Sequence, residues 1–187
     1  MKLVLASNSP RRKEILTEFG YDFTVKSSNF EENDKEGDPF SVATRFAKGK
    51  ALDVFLRLKD KTAVIGADTV VYFDGKILGK PKDENDAYAT LKMLSGKTHS
   101  VVTGFAVICD KLRVFGYDVS EVVFNDLSEK TISEYVSTGS PLDKAGSYGI
   151  QDGFNLVREV RGSLYNVIGF PIEKIKFILD GIDDLGK

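Results

Sequence analysis

Residues 3–20, LVLASNSPRRKEILTEFG, decide how the chain is to be read. Leu3 to Ala6 is an apolar run of strand length. Ser9-Pro10 then supplies a helix N-cap followed by proline at the first helical position, where its missing N–H leaves nothing unsatisfied. Ile15, Leu16 and Phe19 form an apolar stripe at helical spacing, and Gly20 ends the helix. A buried strand feeding straight into a helix is the opening of an α/β unit.

Outward from there, residues 27–39 are acidic and turn-rich, which predicts a loop before a long helix from about Phe40 to Leu58, with Val42, Phe46, Val54, Phe55 and Leu58 inward. Thr62 to Val71 is a β-branched run that Gly66-Ala67-Asp68 interrupts as a polar hinge. Asp74-Gly75 signals a hairpin before Lys76-Ile77-Leu78. A helix from Asp83 to Leu94 precedes two long strands, roughly His99 to Cys109 and Leu112 to Phe124, which should pair antiparallel. Ser128 to Val136 reads as a helix, and the glycine-bearing stretch from Pro141 to Phe154 is too long for a plain turn. Val157–Val160 and Asn166–Ile168 look like closing strands before a last helix that starts at Pro171. The pattern predicts an α/β fold with a mixed, curved central sheet flanked by helices, in two lobes around a cleft.

The 187 residues are 42% hydrophobic and 29% charged, the balance of an ordinary globular protein, and they predict one domain over residues 1–187. With 26 basic and 28 acidic residues, the net charge of −2 supplies no general field for a nucleic-acid backbone, so an anion site has to be local. No apolar run approaches the roughly 18 residues of a membrane span, and the start of the chain is too weakly apolar for a secretory signal. A cytoplasmic protein without nucleic-acid or membrane partners is expected. The single cysteine, Cys109, lies in an apolar run and reads as a small buried hydrophobe.

Four segments carry residues suited to chemistry. Ser7-Asn8-Ser9-Pro10-Arg11-Arg12 joins a strand to a helix start, where backbone N–H groups, the helix dipole and two guanidiniums favour phosphate; a plain cap with solvated arginines is the alternative. Asp68, in Gly66-Ala67-Asp68-Thr69, would be a carboxylate in a buried strand, which needs a cationic partner or a metal, unless it merely makes a turn. Lys80 between Gly79 and Pro81 is either a point charge for a phosphate or a solvated loop lysine. Leu142 to Gln151 combines glycines that admit a close ligand with Asp143, Lys144 and the amide of Gln151, or is a glycine-rich surface loop. His99, the only histidine, has no second histidine or cysteine nearby in sequence and reads as structural or loop-bridging. Zinc spacing, a Walker loop and a dinucleotide fingerprint are all absent, which leaves carboxylates, lysines and arginines to do the chemistry.

In order along the chain, LVLASNSPRRKEIL, FAKGKA, VIGADTVVYFDGKILGKPKD, LSGKTHSVVTG, PLDKAGSYGIQ and GSLYNVIGFPI resemble the Maf family of nucleotide pyrophosphatases. The resemblance implies a fold related to that of inosine-triphosphate pyrophosphatases and cleavage of a nucleoside triphosphate to monophosphate and pyrophosphate, with Mg²⁺ or Mn²⁺. It further implies Asp68 as general base and metal ligand, Glu32 (or its neighbour Glu31) as the acidic partner at the metal, and Ser9, Arg11, Arg12, Lys50 and Lys80 as phosphate contacts. Arg11, Thr69 and Gln151 match the pattern of the branch acting on dTTP and UTP, and donors and acceptors on Thr69 and Gln151 suit an imide edge. A 7-methyl-GTP pyrophosphatase, an inosine-type enzyme and a non-catalytic nucleotide sensor in cell division are the competing readings. Phe46 and Phe170 stand where the family usually has leucine, and Asp152 where glycine is common. A homodimer is compatible with a small two-lobed enzyme.

Overall fold

The computed structural model describes residues 2–33, 36–58 and 62–184. Its elements in chain order are β1 (Lys2–Leu5), α1 (Pro10–Glu18), β2 (Thr24–Val25), α2 (Pro39–Leu56), β3 (Thr62–Phe73), β4 (Lys76–Leu78), α3 (Glu84–Leu94), β5 (Thr98–Ile108), β6 (Arg113–Phe124), α4 (Glu129–Ser137), β7 (Val157–Arg161), α5 (Leu164–Ile168) and α6 (Ile172–Asp184). The strands form one open sheet in the order β2-β1-β3-β5-β6-β7, with β4 also paired to β3. β1 runs parallel to β2 and to β3, whereas the β3–β4 and β6–β7 pairs are antiparallel, so the sheet is mixed as the element pattern predicts. Reciprocal backbone bonds between Cys109 and Leu112 close the turn between β5 and β6. Among the described residues no helix is long and apolar enough to cross a membrane.

The chain divides into two compact units. The first comprises Met1–Asp68, Thr103–Asp118 and Gly169–Lys187. Its long helix α2 starts where Asp38 Oδ1 accepts from the amides of Phe40 and Ser41, just before Pro39. A row of small side chains on that helix, Ala43, Ala47 and Ala51, is fully buried. The strands opposite answer with glycine, because a Cβ at Gly66 would overlap the Ala47 carbonyl and one at Gly104 would overlap the backbone of Ala43. Gly66 is therefore no hinge: β3 runs unbroken through Gly66-Ala67-Asp68, and the glycine is there to let helix and strand backbones approach. Val4, Val54, Val64, Ala106 and Ile108 fill the layer around that contact.

The second unit comprises Thr69–Val102 and Val119–Ile168. Leu91, Leu94, Val101, Val122, Phe124, Ile132 and Tyr135 form its core. His99 lies in it, 3% exposed, edge-on to the rings of Phe124 and Tyr148, with its Nε2 sharing a hydrogen bond with the Tyr148 hydroxyl over 2.8 Å. Burial pushes its imidazole down to about 4, so it is neutral at physiological pH. It bridges β5 to the segment that follows Pro141.

One stretch expected as a strand is helical. Asn166–Ile168 belongs to α5, because Ser163 opens a turn there: its Oγ accepts from the Asn166 amide and its carbonyl from the Val167 amide. The Asn166 side chain then turns inward, donating to the Val101 carbonyl and to Ser120 Oγ. Two adjacent apolar residues fit a strand or a helix equally well, and only the capping bond separates the cases.

Candidate active site

In the first unit, three elements bring charge to the end of the β3 segment that closes on Asp68. Asp68 is 7% exposed, and burial raises its carboxyl above the ordinary value. Lys50 opposes the rise, Glu32 adds to it, and Arg12 lowers it again. The Lys50 ammonium, carried on α2, sits 2.6 Å from Asp68 Oδ1 and 2.7 Å from Glu32 Oε1. Two carboxylates thus converge on one cation, the inner one almost dry and the outer one in contact with solvent.

Glu32 reaches this point because the loop before it is fastened to α2. Asp53 Oδ2 accepts from Ser28 Oγ at 3.1 Å and from the Asn29 amide at 2.8 Å, and Arg57 donates to the Ser27 carbonyl at 2.6 Å. The Phe30 ring lies directly over Gly49, where any Cβ would collide with it, and is tilted against Phe46. That contact decides between the two adjacent glutamates: Glu32 meets Lys50, while Glu31 accepts from Asn33 Nδ2. Phe30, Gly49 and Asp53 were not singled out from the sequence. Their signal is indirect, a glycine inside a strongly helical run that carries a packing demand.

The β1–α1 junction supplies fixed positive charge. Ser9 stands at the N-cap position of α1, yet its hydroxyl makes no capping bond, and its own amide donates to Ser7 Oγ over 3.2 Å. Arg11 is half-buried in the first turn. Arg12 donates through Nε to the Gly169 carbonyl at 2.9 Å and through Nη1 to the Ala67 carbonyl at 2.8 Å and Ser7 Oγ at 3.1 Å. The bond to Ala67 ties the guanidinium to the residue before Asp68. Burial works against its charge, and Asp68 is the strongest influence restoring it.

The remaining candidates belong to the second unit. Thr69 follows Asp68 on β3 and is half-buried, whereas Lys80 and Gln151 are exposed. The Gly146 amide donates to the Gly79 carbonyl over 3.1 Å, which ties the Lys80 segment to the stretch that ends in Gln151.

Among the described residues no group of three or more His, Cys, Asp or Glu gathers as a metal cage. The Asp68–Glu32 pair nevertheless suits one kind of ion. Mg²⁺ and similar hard cations are commonly held by one or two carboxylates, with water and substrate phosphate completing the shell. Here two hard oxygen donors already point at one position occupied by positive charge.

A family model described as Maf-like protein matches residues 2–182. A relative named dTTP/UTP pyrophosphatase from Thermococcus gammatolerans is 49% identical over 92% of this chain and 92% of its own length. Proteins of the same name from Clostridium perfringens and Aquifex aeolicus are 44% and 45% identical, over 98% and 96% of this chain and 98% and 94% of their own lengths. Among solved structures, the Ham1 protein of Staphylococcus aureus superposes with a TM-score of 0.53 at 13% identity, covering 97% of this chain and 99% of its own. A HAM1 protein from Coxiella burnetii gives 0.50 at 14%, with the same shares covered. These two likenesses concern the fold.

Proposed function

We propose that this chain, which belongs to the Maf family, hydrolyses dTTP and UTP to the monophosphate and pyrophosphate. The observation that carries the reading is Asp68: a nearly buried carboxylate, raised above its ordinary value and held by a lysine shared with a second carboxylate. The names of the relatives support the choice of pyrimidine triphosphates over 7-methyl-GTP.

In this proposal Asp68 accepts the proton of the water that attacks the α-phosphorus, a task favoured by a carboxylate whose basicity burial has increased. Asp68 and Glu32 would also hold a divalent cation, Mg²⁺ or Mn²⁺. When bound, such a cation supplies charge against the phosphates and makes nearby water easier to deprotonate. Lys50, whose ammonium lies beside both carboxylates, would contribute a positive charge for a phosphate oxygen at the same place. Arg12, fixed by three protein oxygens, acts as a static positive charge that needs no reorganisation as pyrophosphate leaves. Ser9, Arg11 and Lys80 complete the phosphate contacts, and Thr69 and Gln151 read the base. The enzyme works on the free nucleotide pool of the cytoplasm, and a homodimer is compatible with this role.

The position of attack is tested by hydrolysing UTP in oxygen-18 water and weighing both products. Label in UMP is the expected result, because water attacks the α-phosphorus. Label in pyrophosphate, or release of inorganic phosphate instead, overturns the reading.

A further inference from the structure

Gln151 projects from a turn that is braced more heavily than a surface loop needs. Residues Gly149 to Asp152 form a β-turn in which the Asp152 amide donates to the Gly149 carbonyl over 3.1 Å, and Gln151, its third residue, is exposed. A single oxygen outside the turn ties its two ends together. The Tyr135 hydroxyl, at the end of a fully buried ring on α4, accepts from the Gly149 amide at 2.9 Å and donates to Asp152 Oδ2 at 2.6 Å. The same carboxylate oxygen accepts from Ser140 Oγ at 2.7 Å and lies 3.5 Å from the Lys144 ammonium.

Lys144 is 8% exposed, and its ammonium donates to the Ser140 carbonyl at 2.6 Å, Ser140 Oγ at 2.8 Å and Asp143 Oδ1 at 2.9 Å. A buried charge so fully satisfied holds its surroundings in one arrangement. Gly149 fits against this cluster because it has no side chain: a Cβ there would come within 2.7 Å of Lys144 Cε and 2.8 Å of Asp152 Oδ1. On the preceding side, Tyr148 is pinned by His99 and packed edge-on against Phe124. Gly149 and Asp152, at the two ends of the turn, are thereby held in place while Gln151 is exposed.

An amide that reads a base edge needs placement to a few tenths of an ångström, and a rigid turn avoids the entropy of ordering it on each binding event. We propose that Tyr135, acting through Asp152 with Lys144, is a positioning residue for base selection, its hydroxyl setting the direction from which Gln151 meets the pyrimidine. The proposal rests on the reading of Gln151 as a base contact.

The test compares the native enzyme with Tyr135→Phe, Asp152→Ala, Asp152→Asn and Gln151→Ala. The readouts are kcat and KM for dTTP, UTP and CTP, the melting temperature, and amide hydrogen exchange over residues 149–152. Tyr135→Phe removes one oxygen and leaves the ring against Phe154, at a centroid distance of 4.8 Å. It should raise KM for dTTP and UTP about tenfold with kcat nearly unchanged, speed exchange at the Gly149 amide, and shrink the dTTP-over-CTP preference toward that of Gln151→Ala. Asp152→Ala should do the same by a second route, and Asp152→Asn, which keeps an acceptor, should retain most of the preference. A lower melting temperature in Tyr135→Phe and Asp152→Ala with KM and preference intact would overturn the proposal and leave the brace as scaffold alone. If Gln151→Ala itself keeps the native preference, the base-contact reading fails and the proposal falls with it. A collapse in Gln151→Ala but not in the other two overturns the proposal only.

Discussion

Replacing Asp68 by asparagine should lower kcat for dTTP about 10³-fold while changing the nucleotide's dissociation constant by less than about threefold. The asparagine keeps the size and one oxygen of the carboxylate but cannot take a proton from water. Asp68 is nearly buried beside Lys50, and an asparagine of the same size leaves little room for bulk water to take its place as proton acceptor. Stopped turnovers and equilibrium binding of a non-hydrolysable dTTP analogue, measured on one preparation, give both quantities. Turnover within tenfold of native would remove Asp68 from the base role.

The second large effect belongs to Lys50→Met, which keeps the length of the side chain and deletes its charge. Lys50 is the cation on which Asp68 and Glu32 converge, with side-chain exposures of 15%, 10% and 43% respectively. Leaving a nearly buried carboxylate without its partner should cost about 3 kcal/mol of stability at neutral pH. The dependence on pH has a definite sign. Asp68 already titrates above an ordinary carboxylate, and loss of Lys50 removes the strongest influence holding it down, so it moves further up. A group raised on folding favours the folded state most when protonated, and that contribution is lost as pH rises through the raised value. The stability gap between native and variant should therefore narrow on acidification, and the acid limb of the activity profile should shift upward. Denaturant titrations at several pH values check both, and a gap independent of pH would contradict the coupling.

Much of this site is legible in the sequence for reasons that can be named. The β1–α1 junction is legible because proline suits the first turn of a helix after Ser9 and the apolar run before it has the length of a strand. Asp68 stands out because a carboxylate inside the run from Thr62 to Val71 demands a partner. The identity of that partner is not local: Lys50 lies one helix earlier, and spacing along the chain says nothing about which helical lysine faces a given strand. Glu32 is harder still, since a loop has no period. Its placement comes from Phe30 lying on Gly49 and from Asp53 gathering Ser28 and Asn29.

Gly66 shows the converse difficulty. A glycine in a strand signals either a bend or a close neighbour, and the sequence favours the bend because Asp68 follows. The structure resolves it through the carbonyl of Ala47, on an element whose own alanines give no hint of how near the strand will come. Asn166 is similar: the sequence places it on a closing strand, whereas it lies in α5, fully buried, with Val101 and Ser120 as hydrogen-bond partners. Gln151 was legible as a residue able to read a base, but the brace behind it joins Tyr135, Ser140, Lys144 and Asp152, residues whose meeting depends on how α4 meets the following turns.

The most direct measurement is pyrophosphate release by the purified protein from dTTP, UTP, CTP, 7-methyl-GTP, ITP and the common purine triphosphates, with and without Mg²⁺ or Mn²⁺. Metal-dependent release led by dTTP and UTP, and abolished by chelation, is the predicted result. A lead by 7-methyl-GTP or ITP would contradict the assignment of Thr69 and Gln151 to the pyrimidine base, and no release from any of them would contradict the pyrophosphatase reading itself.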